Sequence, residues 1–133
     1  MKSSFLLFLM LAVAISCSKD DENDEFHPPQ WLIGTWDHEN SEATLQTYIV
    51  SANNVILEYP DGSQLDYGTR AAQNNGYYIR EEIISDSEYK YELVDNGDTG
   101  QEPDIVTFQK ISNQRLKLII SLQQTNGSIY NKR

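Results

Sequence analysis

The sequence of 133 residues contains a single cysteine, Cys17, and only two histidines, His27 and His38. One cysteine cannot form an intramolecular disulfide or a cysteine-based zinc site. No Gly-x-Ser-x-Gly pattern or phosphate-binding glycine loop accompanies the histidines. We therefore expect no catalytic residues, no metal site and no cofactor, and we predict that the chain is not an enzyme.

Basic residues are also scarce, because 10 Lys and Arg face 20 Asp and Glu and the formal net charge is −10. If residues 1–16 are removed as a signal peptide, Lys2 is lost, and 9 basic against 20 acidic residues leave −11. A chain of this charge is repelled by phosphate backbones. We predict no nucleic-acid partner.

Two groups of acidic residues could in principle cleave a sugar or bind calcium, and neither has the spacing that such chemistry needs. Glu81 and Glu82 are adjacent on a predicted strand, so they point to opposite faces and cannot flank a sugar as a glycosidase pair does. The segment 95–104 contains Asp, Asn and Glu side chains but lacks the spacing of a calcium-binding EF-hand loop. We interpret it as a solvated loop.

No apolar run reaches the roughly 20 residues that a spanning helix needs, but Phe5–Ile15 is an unbroken run of signal-peptide length after Lys2. It ends in Ala14-Ile15-Ser16-Cys17, which resembles the lipobox of bacterial lipoproteins. The resemblance implies cleavage before Cys17, a diacylglyceryl group on its thiol and acylation of the new amine with a fatty acid such as palmitate. Two or more acyl chains hold a protein stably on a membrane. Ordinary secretion with a free Cys17 is the alternative.

Residues 17–29 form a predicted tether, because residues 18–25 include five acids and no apolar side chain. Two interpretations remain open. The segment is a plain spacer, or Ser18–Glu22 resembles the acidic export signal that follows the lipidated cysteine in surface lipoproteins of the Bacteroidetes. We expect a lipid-anchored protein of the bacterial outer membrane, which the second interpretation places on the cell surface.

Residues 30–133 alternate between apolar and polar side chains with a period of two, and no convincing helical stripe is present. Asn-Gly and Asp-Gly pairs punctuate the runs and favour tight turns between antiparallel strands. The predicted strands are Gly34–His38, Thr44–Ser51, Val55–Tyr59, Gln64–Tyr67, Tyr77–Ser85, Tyr89–Val94, Ile105–Ile111, Arg115–Gln123 and Ser128–Lys132. Every connection except 95–104 is predicted to be short. This pattern predicts one all-β domain, a small antiparallel up-and-down β-barrel of about 8 strands with a mostly filled interior.

Gly34-Thr35-Trp36, preceded by Trp31-Leu32-Ile33, resembles the Gly-x-Trp opening of lipocalins and fatty-acid-binding proteins. The resemblance implies that Gly34 lets the first strand pack closely and that Trp36 plugs the closed end of the barrel. It also implies a basic residue stacked on the tryptophan, for which Arg115 is the candidate. Small lipocalin-like lipoproteins of the Bacteroidetes are similar to the whole chain in layout. The alternative is that Trp36 is simply a core aromatic.

Eight tyrosines could not all be buried with hydrogen-bonded hydroxyls in so small a core, so we expect some to be exposed. The alternative is that the tyrosine rings pair with aromatic side chains across neighbouring strands and stabilise the sheet. The favoured function is a binding module for a small apolar or glycan ligand, with ligand-binding residues that the pattern does not identify. The alternative is a protein-interaction module, such as an inhibitor of a basic enzyme such as lysozyme, which the acidic charge would attract. A cavity above roughly 300 Å³ would favour the small ligand. We expect a monomer.

Overall fold

A computed structural model describes residues 25–40, 46–73, 77–95, 102–121 and 126–133. Within these ranges, nine antiparallel strands form one curled sheet with the shape of a half-barrel. The strands are β1 (Gly34–His38), β2 (Thr47–Val50), β3 (Val55–Glu58), β4 (Gln64–Asp66), β5 (Tyr77–Ile84), β6 (Glu88–Asp95), β7 (Asp104–Ser112), β8 (Arg115–Ile120) and β9 (Ser128–Lys132). A 3-10 turn, Gln30–Leu32, precedes β1, and one short helix, α1 (Tyr67–Ala72), follows β4. The prediction of an all-β antiparallel fold is confirmed.

The strand order is β4-β3-β2-β1-β9-β8-β7-β6-β5. Strands that follow each other in sequence are paired except β4 and β5, and the first and last strands pair through Trp36 and Lys132. The two edges of the sheet are therefore β4 and β5. Helix α1 connects these edges in sequence and packs against β3 and β5.

The alternation of side chains explains which face of each strand is buried. In β8, Leu116 and Leu118 are buried while Lys117 between them is partly exposed. In β6, Tyr89 and Tyr91 are fully buried. The turn between β3 and β4 uses Gly62 with a φ of 81°, a conformation that favours glycine. The period-two pattern thus predicted the inward residues correctly in these strands.

Helix α1 was not predicted, and the connection after Tyr67 is longer than expected. Asp66 caps the helix by accepting a hydrogen bond from the Thr69 N–H at 2.8 Å. Asn54 holds the same end, because its Nδ2 donates to Asp66 Oδ1 at 2.9 Å and its Oδ1 accepts from the Gly68 N–H at 3.0 Å. A helix of 6 residues is too short to show a helical period, and these contacts from a distant turn stabilise it.

The packed body begins before Gln30, the start that the sequence analysis assigned to the domain. Phe26 is fully buried and meets the ring of Tyr91 edge to face, with 4.9 Å between centroids. His27 contacts the Glu81 carboxylate through its backbone N–H at 2.5 Å and through ring Nδ1 at 3.0 Å. The last residues of the segment predicted to be a tether are therefore docked on the sheet.

Trp36 is fully buried, and its indole N–H donates to the Leu32 carbonyl at 2.7 Å. Its cationic neighbour is Lys132, whose Nζ lies 5.2 Å from the ring centroid, and this corrects the expectation for Arg115. Arg115 precedes the buried Leu116 and faces outward, where its guanidinium pairs with Glu39 at 2.5 Å. Lys132 is the cross-strand partner of Trp36, so the two side chains share a face.

Gly34→Ala is expected to lower the free energy of unfolding by about 1–3 kcal/mol, because Gly34 has a φ of 143°, which other residues rarely adopt. A Cβ there would also lie 2.5 Å from Lys132 Cε and would push that side chain away from Trp36. Gly62→Ala is the control, since it has positive φ but no atom within 4 Å of the added Cβ. Urea unfolding should show a smaller penalty for Gly34→Ala when Lys132 is already Ala. An equal penalty in both backgrounds would mean that Lys132 does not pack there.

Candidate functional site

A cavity of about 220 Å³ lies against the buried side chains of the curled sheet, and we call it the tyrosine cavity. Its polar lining consists of Gln46, Tyr48, Tyr59, Tyr67, Tyr91 and Asp104. Its apolar lining consists of Leu57, Leu93, Val106 and Ile120. The volume is below the roughly 300 Å³ that the sequence analysis set as favouring a small ligand, so the cavity does not meet that criterion and has room only for a compact ligand.

Cross-strand pairing brings these residues together. Tyr48 of β2 lies opposite Leu57 of β3, and Tyr91 of β6 lies opposite Val106 of β7. Asp104 begins β7 and is paired with Leu93. Directly opposed residues in an antiparallel sheet point to the same face. The lining is therefore assembled from five strands, β2, β3, β6, β7 and β8, and the tyrosines on either side of it are far apart in sequence.

Tyr91 has the most unusual environment in the cavity wall. Its side chain is fully buried, and its hydroxyl has no hydrogen-bond partner among the described residues. A buried hydroxyl without a partner costs about 1–3 kcal/mol, so most such groups in folded proteins are paired. Phe26 and Tyr89 pack against its ring at centroid distances of 4.9 and 5.6 Å and hold it in place. The orphaned hydroxyl is an unsatisfied polar group on a residue that lines the cavity.

Three tyrosines of the cavity, Tyr48, Tyr67 and Tyr91, have a raised pKa, which favours the neutral hydroxyl. Burial, followed by Tyr59 and Asp104, raises the pKa of Tyr67 to about 12. Burial is also the largest cause that raises the pKa of Tyr48 and Tyr91, and the negative charge of Asp104 acts on both in the same direction. Asp104 is half-buried and forms no ion pair with a described residue. The lining is therefore aromatic and electronegative.

A second polar cluster joins His27, Glu81 and Tyr89. The Glu81 side chain is 6% exposed and contacts His27, and it also accepts a hydrogen bond from the Tyr89 hydroxyl. Burial and then the Glu81 carboxylate raise the pKa of Tyr89. The polar groups of the cluster therefore pair with one another, and their contacts attach the segment around Phe26 to β5. We assign the cluster a structural role.

Glu81 and Glu82 contact different groups. Glu82 pairs with Lys90, and its carboxylate is also close to that of Glu92. Arg80 binds Glu92 at 3.1 Å. Burial and then the adjacent Glu82 raise the pKa of Glu92. The positive charges of Lys90 and Arg80 thus offset the repulsion between the carboxylates of Glu82 and Glu92.

The chain matches no protein-family model, and no curated protein or solved structure is significantly similar to it. The proposed function therefore rests on the fold and on the tyrosine cavity.

Several predicted features lie outside the described residues. The predicted signal peptide (1–16), Cys17 and most of the predicted tether precede residue 25, and residues 96–101 of the predicted solvated loop are also outside. Where the chain is described, no group of three or more His, Cys, Asp or Glu side chains is placed to hold a metal ion. The same part of the chain has no helix long and apolar enough to cross a membrane. His38 Nδ1 accepts a hydrogen bond from the Asn40 N–H at 3.0 Å.

The tyrosines are more buried than the sequence analysis expected. Of the seven with described side chains, none is exposed. Some of these rings pack edge to face on one another, as Tyr48 and Tyr130 do with 5.4 Å between their centroids. Tyr48 and Tyr91 occupy inward positions that the period-two pattern identifies. Sequence alone does not show that space remains between them, which is why the cavity was missed.

Proposed function

We propose that this chain is a non-catalytic, lipid-anchored protein of the bacterial envelope whose β-domain binds a small ligand in the tyrosine cavity. The tyrosine cavity, with the orphaned Tyr91 hydroxyl in its wall, is the observation that carries this proposal. Inward groups without partners lower the stability of the empty domain. A bound ligand that pairs with them would compensate this cost.

The proposed domain is a lipocalin-like barrel in which α1 occupies the gap between β4 and β5. Three observations support it. The first and last strands are hydrogen-bonded, α1 packs against β3 and the edge strand β5, and Trp36 is buried beneath Lys132. These features agree with the resemblance carried by Gly34-Thr35-Trp36. A small cavity in a barrel of short strands favours a compact apolar or glycan-like ligand over a long acyl chain.

Native mass spectrometry tests the binding function. The chain from residue 17 onward, with Cys17→Ser to prevent acylation, is exposed to envelope extract and to glycan mixtures and then desalted. We expect a bound small mass on this protein and its loss in Leu93→Trp, because the larger ring would fill the cavity that Leu93 lines. Ile84→Trp is the matched control, since Ile84 is 52% exposed and does not line the cavity. Retention of the ligand by Leu93→Trp, or no bound mass on any form, would contradict the proposal.

Metabolic labelling with a palmitate analogue tests the anchor. We expect the intact gene product to be labelled and membrane-bound, because two or more acyl chains give stable anchoring. Cys17→Ala should lose the label and appear in the soluble fraction, whereas Ser18→Ala should behave as the unchanged protein. A label that persists in Cys17→Ala, or an unlabelled parent protein, would refute lipidation at Cys17.

A protein-interaction module is the second candidate, and exposed apolar side chains favour it. Ile84 and Ile111 are 52% and 53% exposed, on a protein with a formal net charge of −10. Lysozyme serves as a basic probe for this function. Binding of lysozyme that survives Leu93→Trp but is lost in Ile84→Asp would favour this candidate over the cavity.

A further inference from the structure

We propose that the tyrosine cavity selects a small organic cation of the alkylammonium class, an inference that rests on the proposed ligand-binding function. Four tyrosine rings, one carboxylate and one amide supply the polar groups of its lining. Aromatic faces attract cations, and cages of aromatic side chains are an established way to bind quaternary ammonium groups. The charge and the shape of the lining therefore point to the same kind of ligand.

Asp104 supplies the charge that distinguishes this cavity from an apolar pocket. It is half-buried in the lining, and no described Lys, Arg or His lies within 4.0 Å of its carboxylate. A partly buried carboxylate without a cationic partner loses hydration and gains little in return. A cationic ligand would provide the missing partner, whereas an apolar ligand would deepen the loss of hydration.

Tyr91 supplies a second, independent indication that the cavity is built to be occupied. Its hydroxyl is buried without a partner, and the oxygen can accept a hydrogen bond or face a positive charge. Tyr48, Tyr59 and Tyr67 add three further hydroxyl-bearing rings to the lining. A cation would meet several oxygen atoms and aromatic rings together.

Among the described residues, the basic side chain whose charge lowers the pKa of Tyr67 is Arg70. It is exposed on α1, and its charge affects the Tyr67 hydroxyl less than that of Asp104 does. No basic residue is among those that line the described cavity. The local balance of charge is therefore negative, as in the whole chain, and it favours a positively charged ligand over an anionic one.

Titration calorimetry and NMR with three probes test the inference on the chain from residue 17 onward carrying Cys17→Ser. The probes are choline, its uncharged isostere 3,3-dimethylbutan-1-ol, and glucose. We expect choline to bind about tenfold or more tightly than either uncharged probe and to shift the resonances of Tyr67 and Tyr91. Asp104→Asn should weaken choline binding about tenfold and leave binding of the isostere unchanged.

Glu102→Gln is the matched control, because Glu102 is an exposed acid two residues from Asp104 and does not line the cavity. It removes the same formal charge and should leave choline binding unchanged. Urea unfolding of each variant shows that the fold persists, and Tyr91→Phe gives a second variant that should weaken choline binding while keeping the ring.

The outcomes separate this inference from the function on which it rests. Equal or tighter binding of the isostere or glucose, or choline binding that Asp104→Asn does not weaken, would overturn the choice of a cation and leave a small-ligand function standing. Absence of choline binding would also overturn it. Failure of the binding function itself would appear in native mass spectrometry, as an absence of any ligand that Leu93→Trp displaces.

Discussion

Phe26→Ala is expected to lower the free energy of unfolding by about 3–5 kcal/mol, the range for truncating a fully buried aromatic side chain. Phe26 has no exposed surface and meets Tyr91 edge to face at 4.9 Å. Its removal would leave a void beside Tyr91, and the contact between His27 and Glu81 would have to hold the segment alone. Because a typical domain is stable by about 5–15 kcal/mol, the loss is a large share of the total. Urea unfolding of the chain from residue 17 onward measures it.

Ile84→Ala is the matched control for Phe26→Ala, because it also truncates an apolar side chain but one that is 52% exposed. Substitutions at exposed positions usually change stability by less than about 0.5 kcal/mol. Phe26→Leu should recover part of the loss, since it keeps apolar volume in the core. If Phe26→Ala and Ile84→Ala had equal effects, residues before Gln30 would not belong to the folded domain.

The strands were the predictable part of this fold, because their signals are local. Leu116 and Leu118 alternate with Lys117 and face the core as the pattern indicates. Asp61 and Gly62 form the predicted turn, in which the Gly62 N–H donates to the Tyr59 carbonyl at 2.9 Å. Burial on one face and turn chemistry at the ends act within a few residues, so one sequence is enough to identify them.

The features that were missed depend on contacts between distant segments. Phe26 is a single aromatic residue after an acidic run, and only the space beside Tyr91 makes it part of the core. Helix α1 depends on Asn54, which lies in the turn between β2 and β3. The expectation that Arg115 is the neighbour of Trp36 was wrong because the neighbour is set by the register between β1 and β9, which places Lys132 opposite Trp36.

The candidate site could be predicted only in part for the same reason. The inward positions of Tyr48 and Tyr91 follow from alternation, but a cavity is the volume left over after all inward side chains have packed. That volume depends on the curvature of the sheet and on α1, which carries Tyr67 into the lining. The sequence predicts for Asp104 only a place in the solvated segment 95–104, and its position in the lining follows from the pairing of β6 with β7.

Alkaline pH is expected to unfold the domain cooperatively above pH 10. Burial is the largest cause that raises the pKa of five described tyrosines above their ordinary value, namely Tyr48, Tyr67, Tyr89, Tyr91 and Tyr130. For Tyr67 and Tyr130 the raised pKa is about 12. A group whose pKa is higher in the folded state contributes its full stability below its unfolded pKa, about 10 for tyrosine. That contribution is lost as the pH rises from 10 through the folded pKa.

The expected loss is large because several groups act together. Each such tyrosine destabilises the fold by about 1.4 kcal/mol for every pH unit above 10 until its folded pKa is reached. The five together should reach an upper limit of about 14 kcal/mol within two pH units, which is comparable to the stability of a typical domain, about 5–15 kcal/mol. Tyrosinate absorbance and loss of near-ultraviolet circular dichroism should therefore appear in one step. Complete tyrosinate formation near pH 10 with the dichroism intact would mean that these hydroxyls are not buried.

Tyr48→Phe tests the link between one buried hydroxyl and the alkaline transition. The Tyr48 ring packs edge to face on Phe108 and Tyr130. Phenylalanine therefore keeps the packing and removes only the group that titrates. We expect little change in urea unfolding at neutral pH and a shift of the alkaline midpoint to higher pH. An unchanged midpoint would show that the transition is driven by the growing net charge of an already acidic chain, because that term does not depend on this hydroxyl.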